Sequence, residues 1–134
     1  MLRPQRPRAI TTKNLTTGAV YQLPQNIPMS TSNCVYIIQC KKCPMKYVGE
    51  TRNSLRTRLS HHKYNIGHNN KADTYLVQHF RKHGFGNFHM RGLQHNPDWT
   101  TYQRRRTERY WTTRLGTKFP NGLNEKYLLA GQPH

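Results

Sequence analysis

Acidic residues are scarce in this sequence. Five Asp and Glu stand against 22 Lys and Arg in 134 residues, which leaves a formal net charge of +17. A compact chain with this charge repels itself unless a polyanion screens it, so nucleic acid is the expected partner. Five scattered acids also argue against a two-metal centre, which needs several carboxylates close together.

Cysteines are few, and long apolar runs are absent. The chain has three cysteines, and two of them, Cys40 and Cys43, are too close in sequence to staple a fold. A disulfide framework is therefore disfavoured, and a metal or a redox pair remains. No apolar run approaches the roughly 18 residues of a membrane span, and the basic N-terminus lacks the apolar region of a secretory signal. We expect one intracellular domain, nuclear in location, with no membrane contact.

The first 32 residues differ in composition from the rest. They are rich in Pro, Arg and Thr and show no apolar periodicity, as in "MLRPQRPRAITTKNLTTGAV". This composition predicts a basic, largely disordered N-terminal arm over residues 1–32, followed by a folded domain over residues 33–134.

Two strands joined by a tight turn are predicted at the start of the folded domain. "NCVYIIQC" is β-branched and aromatic, "MKYVGET" follows, and "KKCP" between them has the length of a hairpin turn. Since side chains alternate along a strand, Tyr36 and Ile38 share one face, and Tyr47 and Gly49 share one face of the partner strand. Two phenols can therefore meet on the hairpin.

Three helices and a further strand are predicted downstream. The first helix begins near Ser54 and places Arg58 beside an apolar seam; the second begins at Asp73 and ends at Gly84. Residues 87–94 alternate like a strand, and a third helix over residues 101–115 turns Glu108 inward. The predicted fold is α/β (α+β): a small, mainly antiparallel three-stranded sheet flanked by three helices.

A structural zinc site is predicted from two short motifs. The CxxC of Cys40 and Cys43 places two thiolates on a turn, and His79 and His83 lie one helical turn apart. Two thiolates and two imidazoles at these spacings are typical of a structural Cys₂His₂ zinc site. Two alternatives stay open: a redox dithiol at the CxxC, or His62 in place of one of the two histidines.

Several of these motifs together resemble a known family. The tyrosine of "VYI" lies eleven residues before the tyrosine of "YVG". "LRTR" follows, and a helical Glu and a loop Asn come later. This order resembles the GIY-YIG nuclease superfamily over about residues 33–126, with Cys34 and Val35 where the first glycine is usual. The CxxC between the tyrosine motifs, with histidines after the arginine helix, is similar to the endonuclease domain of Penelope-like retroelements.

The resemblance implies roles for six side chains. Tyr36 and Tyr47 would be the two motif tyrosines and Arg58 the helix arginine, while His62 would be an additional catalytic histidine, with His61 and His68 as near alternatives. The last two roles, a metal-binding carboxylate and a loop amide, fall to Glu108 and Asn124.

The chemistry of phosphodiester hydrolysis suits these residue types. Glu108 could hold one Mg²⁺ or Mn²⁺, which is commonly bound through one or two carboxylates and the phosphate itself. Arg58 could grip the phosphate with its planar fork, and its charge could lower the pKa of Tyr36 so that this phenol acts as a general base. We therefore expect a metal-dependent DNA endonuclease that nicks double-stranded target DNA for retroelement integration.

Other readings of the sequence remain. A non-catalytic, zinc-stabilised nucleic-acid-binding module would have the same charge and the same CxxC, and RNA or a fused reverse transcriptase are further possible partners. In each case the expected contacts to nucleic acid are basic side chains of the arm and helices. They are Arg3, Arg6, Arg8, Lys13, Arg52, Arg56, Arg104, Arg105 and Arg106.

Overall fold

The computed structural model describes residues 9–68 and 74–125. Within these ranges no helix is both long and apolar enough to cross a membrane. The elements, in chain order, are β1 (Thr11–Lys13), β2 (Val20–Gln22), β3 (Cys34–Cys40), β4 (Lys46–Thr51), α1 (Leu55–Gly67), α2 (Tyr75–His83), β5 (Phe88–His95) and α3 (Thr101–Leu115).

The central sheet is antiparallel, with β3 between β4 and β5. Tyr36 lies opposite Gly49, and Ile38 lies opposite Tyr47. The two tyrosines therefore occupy the same face of the hairpin, as the alternation of side chains predicts. The α/β fold class and the three-stranded antiparallel sheet are confirmed.

Strand β3 is buried because helices cover both faces of the sheet. Tyr36 and Ile38 pack in one apolar cluster with residues of α1 and α2. Val35 and Ile37 pack in a second cluster with Leu115 of α3. A strand covered on both sides is a continuous apolar run rather than an alternating one, which is the pattern of this segment.

The helices begin and end at recognisable signals. Ser54 and Thr100 cap α1 and α3, and α3 ends at Gly116, which adopts the left-handed conformation. These boundaries agree with those predicted. The cap of α2 is Thr74, whereas the predicted cap, Asp73, lies outside the described residues.

The N-terminal segment differs from the prediction. Strands β1 and β2 form a short antiparallel hairpin, and Leu23, which follows it, is buried in the core. The Asn14 side chain accepts hydrogen bonds from two turn amides and donates to the Arg114 carbonyl at 3.0 Å. This turn chemistry orders residues that the composition alone assigned to a disordered arm. Residues 1–8, with Arg3, Arg6 and Arg8, lie outside the described residues.

Gly49 is required by the ring of Tyr36. A Cβ atom at position 49 would overlap the phenol, since it would lie 2.8 Å from Cε2 and closer still to Cζ. The ring thus lies flat against the backbone of the neighbouring strand. The glycine of "YVG" is there to make room for the tyrosine of "VYI".

The substitution Gly49→Ala is expected to destabilise the protein by about 1–3 kcal/mol, because a methyl group would be forced into the Tyr36 ring. Urea unfolding measures this change. Gly67→Ala is the matched control, since nothing lies within 4 Å of a Cβ at that position. Equal unfolding free energies for the two variants would contradict the packing described here.

Candidate active site

Tyr36 lies at the centre of a hydrogen-bonded cluster beneath α1. Its side chain is fully buried. Its hydroxyl lies 2.7 Å from Nε2 of His62 and accepts a hydrogen bond from Nε of Arg58 at 3.2 Å. Because residues four apart on a helix lie on the same face, α1 brings both side chains to one phenol. The cluster therefore unites three of the predicted residues.

Burial controls the protonation of this cluster. It lowers the pKa of His62 to about 3, helped by the charge of Arg58, so this imidazole is neutral near pH 7. Burial also raises the pKa of Tyr36 well above its usual value, with Tyr47 adding to the rise and Arg58 opposing it. The expectation that Arg58 lowers the pKa of Tyr36 overall is wrong, because desolvation outweighs the nearby cation.

The roles in the hydrogen bonds follow from these charges. Arg58 can only donate, so the Tyr36 oxygen accepts its N–H. In the tautomer that leaves Nε2 of the neutral His62 without a hydrogen, the Tyr36 hydroxyl donates to it. Because the pKa of Tyr36 is raised and that of His62 is lowered to about 3, the proton between them rests on Tyr36.

Tyr47 is the more accessible of the two phenols. It is half-buried, and its ring centroid lies 6.4 Å from that of Tyr36 and 6.1 Å from that of His62. The alternatives to His62 lie elsewhere: His61 is exposed, and His68 is exposed and stacks on Tyr64. His62 is thus the one of these three histidines that contacts Tyr36.

Glu108 is half-buried on the side of α3 that packs towards the sheet. Its pKa is raised to about 7, first by burial and then by the charge of Glu50, while Arg105, Arg109 and Arg58 oppose the rise. A carboxylate that is costly to ionise, beside a second acid, gains from a bound cation. Oxygen donors of this kind suit Mg²⁺ or Mn²⁺.

The acids and the tyrosines meet at the edge strand β4. Glu50 and Tyr47 point to opposite faces of β4, which among the described residues pairs in the sheet with β3 alone. The charge of Glu108 nevertheless acts on Tyr36, and that of Glu50 acts on Arg58. The two groups therefore lie near one another around this edge. Sequence reasoning missed Glu50, although its place directly after "YVG" was a usable signal.

Asn124 is bonded to the backbone of the second tyrosine motif. Its Oδ1 accepts from the Val48 amide at 2.8 Å and from the Thr117 hydroxyl at 2.7 Å. Its Nδ2 donates to the Val48 carbonyl at 2.7 Å. The side chain is buried and ties the loop before it to β4. Its bonds hold the backbone of the second tyrosine motif in place.

Arg104 is not available to nucleic acid, contrary to the prediction. It is buried, its Nε pairs with Glu50, and its Nη1 donates to Oδ1 of Asn33 at 2.7 Å. The reason is helical geometry, which turns position 104 to the same side as Glu108. The other predicted contacts within the described residues are exposed. They are Lys13, Arg52, Arg56, Arg105 and Arg106.

A second cluster contains the four predicted zinc ligands. One ligand atom from each of Cys40, Cys43, His79 and His83 lies within 4.8 Å of all the others. Sγ of Cys40 is 3.5 Å from Nδ1 of His83, and Sγ of Cys43 is 3.3 Å from Nε2 of His79. Ligand atoms around tetrahedral zinc are separated by about 3–4 Å, so this donor set fits the ion. His62 is bonded to Tyr36 and is not part of the group.

The domain is a small α/β fold in which the hydrogen-bonded cluster of Tyr36, Arg58 and His62 lies beneath α1. Residues 32–124 match the family model described as the GIY-YIG catalytic domain, and they make up more than half of the chain. The chain therefore belongs to the GIY-YIG family. This membership indicates a nuclease with a nucleic-acid substrate. No curated protein and no solved structure matches the chain significantly.

Loss of one thiolate is expected to abolish zinc binding. Cys43→Ser should reduce the bound zinc from one ion per chain towards zero and lower the free energy of unfolding by several kcal/mol, on the order expected for a structural site. Metal analysis and thermal unfolding measure both effects. Cys34→Ala is the control, because Cys34 is buried outside the four-residue group. A Cys43 variant that keeps its zinc would contradict this assignment.

The raised pKa of Glu108 predicts a pH dependence of stability in the absence of Mg²⁺. The folded pKa of about 7 exceeds the ordinary value of 4.5, so the folded state holds this proton more tightly. The stability that results is present below about pH 4.5 and is lost as the pH rises through 7. Urea unfolding of Glu108→Gln should therefore show a smaller loss between pH 4.5 and pH 8, by on the order of 1–3 kcal/mol.

The exposed acid Asp98 provides the control for this measurement. Asp98→Asn should follow the parent protein across the same pH range. If Glu108→Gln also follows the parent, the burial of the Glu108 carboxylate is not what the structure indicates.

Proposed function

We propose that this protein hydrolyses phosphodiester bonds of DNA with one divalent metal ion held by Glu108. The observation that carries the proposal is the convergence of Tyr36, Arg58 and His62 in one hydrogen-bonded cluster that also feels the charge of Glu108. These groups supply a phosphate-binding cation, a phenol that can orient water and a metal ligand within one site.

The metal, when bound, would lower the pKa of its water and neutralise charge on the phosphate in the transition state. Arg58 would hold the phosphate. Its Nε–H is bonded to Tyr36, and its two terminal nitrogens carry the donors that suit non-bridging oxygens. This arrangement fixes the guanidinium before the substrate arrives, so less ordering is needed on binding.

Tyr36 would act as a neutral phenol rather than as a stored phenolate, because its pKa is well above the usual value. The Tyr36 oxygen would accept a hydrogen bond from the nucleophilic water and so orient it, while the bond to His62 holds the phenol in place; the proton of the water would pass through solvent to the departing oxygen. Tyr47, which is more accessible, would complete the wall of the site beside this pair.

A biological role follows from the second cluster. The CxxC between the tyrosine motifs and the histidines of α2 come together as one group, which fits the Penelope-like variant that the sequence resembles. On this proposal the enzyme nicks double-stranded target DNA in the nucleus to prime reverse transcription. RNA or a fused reverse transcriptase would be the accompanying partner.

One observation favours a second candidate function. Tyr36 is fully buried and hard to ionise, which would also suit a purely structural phenol. The second candidate is a non-catalytic nucleic-acid-binding module stabilised by zinc at Cys40, Cys43, His79 and His83.

Nicking of supercoiled plasmid with and without Mg²⁺ tests the proposal. The zinc-loaded parent protein should nick only with Mg²⁺ or Mn²⁺. Glu108→Ala and Tyr36→Phe should each reduce the rate by about 100-fold or more, because one loses the metal ligand and the other loses the hydroxyl that orients the nucleophilic water. Lys118→Gln, which removes an exposed charge, is the control and should retain activity.

Absence of nicking by the zinc-loaded parent protein in either metal, with DNA binding preserved, would contradict the enzymatic proposal. That result would support the non-catalytic module instead. Equal nicking by the parent and by Glu108→Ala would show that Glu108 does not hold the metal.

A further inference from the structure

The outer surface of α3 carries an alternating row of aromatic and basic side chains. Tyr102, Arg106, Tyr110 and Arg114 recur every fourth residue, so successive members are separated by about 6 Å along the helix. Tyr102 is 73% exposed and Tyr110 is 52% exposed. We call these four residues the Tyr/Arg ridge.

The ridge differs from an ordinary solvated helix face. Such a face usually mixes acids with bases at positions i and i+4. In α3 the one acid is Glu108, which is half-buried and turned towards the sheet, so no acid stands among the members of the ridge. Two large aromatic rings exposed among cations have a cost in water that a ligand with flat apolar surfaces and negative charge would offset.

The surroundings of Tyr110 suit such a ligand. The guanidinium of Arg114 lies between two rings, 4.9 Å from the centroid of Tyr21 and 5.7 Å from that of Tyr110. Open clefts flank Tyr110 on two sides. One is lined by Gln94, Trp99, Gln103, Arg106, Thr107, Tyr110 and Trp111, and the other by Arg106, Arg109, Tyr110, Thr113 and Arg114.

The ridge is continuous with the candidate active site. Arg105 and Arg109 act on the charge of Glu108, and successive residues of a helix are turned by about 100°. These two arginines therefore occupy the helix surface between Glu108 and the ridge. A polyanion held at the metal carboxylate can follow cations around α3 without crossing an acid of this helix.

We propose that the Tyr/Arg ridge binds an unpaired DNA strand next to the cleavage point; this inference rests on the proposed function. Bases stack on Tyr102 and Tyr110, and phosphates contact Arg106 and Arg114, so the alternation on the helix matches the alternation of base and phosphate in the strand. Duplex DNA offers the phosphates but keeps its base faces stacked on one another. The tyrosines therefore favour the unpaired form.

Fluorescence anisotropy with a labelled single-stranded oligonucleotide, and with its duplex, tests the stacking. The zinc-loaded full chain is used in a buffer without Mg²⁺ or Mn²⁺, so that no strand is cut. Tyr102→Ala and Tyr110→Ala should each weaken single-strand binding about tenfold and change duplex binding by less than about threefold. Tyr110→Phe should restore binding, because it keeps the ring and loses only the hydroxyl.

The salt dependence of binding tests the cations. Arg106→Gln should reduce the slope of log affinity against log salt by about 0.7 on the single strand, as expected for one lost phosphate contact. Lys118→Gln, which removes an exposed charge outside α3, is the control and should leave the slope unchanged. The four substituted residues, Tyr102, Arg106, Tyr110 and Lys118, are all exposed. The melting temperatures of their variants should therefore match that of the parent protein.

Two outcomes would overturn the inference: alanine variants that bind the single strand as the parent does, or variants that lose duplex binding equally. Failure of the nuclease proposal looks different. The parent would then not nick plasmid with Mg²⁺, while the single strand would still bind the ridge and lose affinity on Tyr110→Ala.

Discussion

The hydrogen bonds of the Tyr36 hydroxyl join the central sheet to α1. A fully buried phenol must be hydrogen-bonded to avoid a large desolvation cost, and here His62 and Arg58 both meet that need. Since both partners come from α1, the bonds fix the rotation of that helix on the sheet. The ring is also constrained by the neighbouring strand, where it packs against Gly49 and where a Cβ atom would overlap it. One side chain therefore sets the register between the sheet and the helix that carries Arg58.

The cysteine and histidine group supports the same cluster from the side. A chain of contacting rings connects the cysteine and histidine group to the Tyr36 cluster. The distances between ring centroids are 5.0 Å from His79 to Phe80, 4.9 Å from Phe80 to Phe88 and 5.8 Å from Phe88 to His62. A metal that joins the hairpin turn to α2 would hold Phe80 in place, and with it the wall against which His62 packs. In a chain of +17 charge with a modest core, such a clamp opposes electrostatic self-repulsion.

Local patterns predicted the three helices and the three-stranded sheet, but not the hairpin of β1 and β2. Alternation placed both tyrosines on one face, and capping residues such as Ser54 fixed the helix boundaries. Burial could not be predicted in the same way. The sequence suggested that Arg58 lowers the pKa of Tyr36, but desolvation of the buried phenol raises that pKa overall. Arg104 looked like its neighbours, although it is buried against Glu50. Such outcomes depend on contacts between residues that are far apart in sequence.

The placement of acids in so basic a chain has a consequence for metal binding. Glu50 is bonded to Arg104 and lies 3.8 Å from Arg105, so two arginines already engage it, although its charge still raises the pKa of Glu108. Glu108 is left as the acid available to a cation, and it stands in a field of arginines that disfavours a divalent ion. A phosphate bound at Arg58 would bring the negative charge that the site lacks. Metal and DNA should therefore bind cooperatively, each supplying the charge that makes the other favourable.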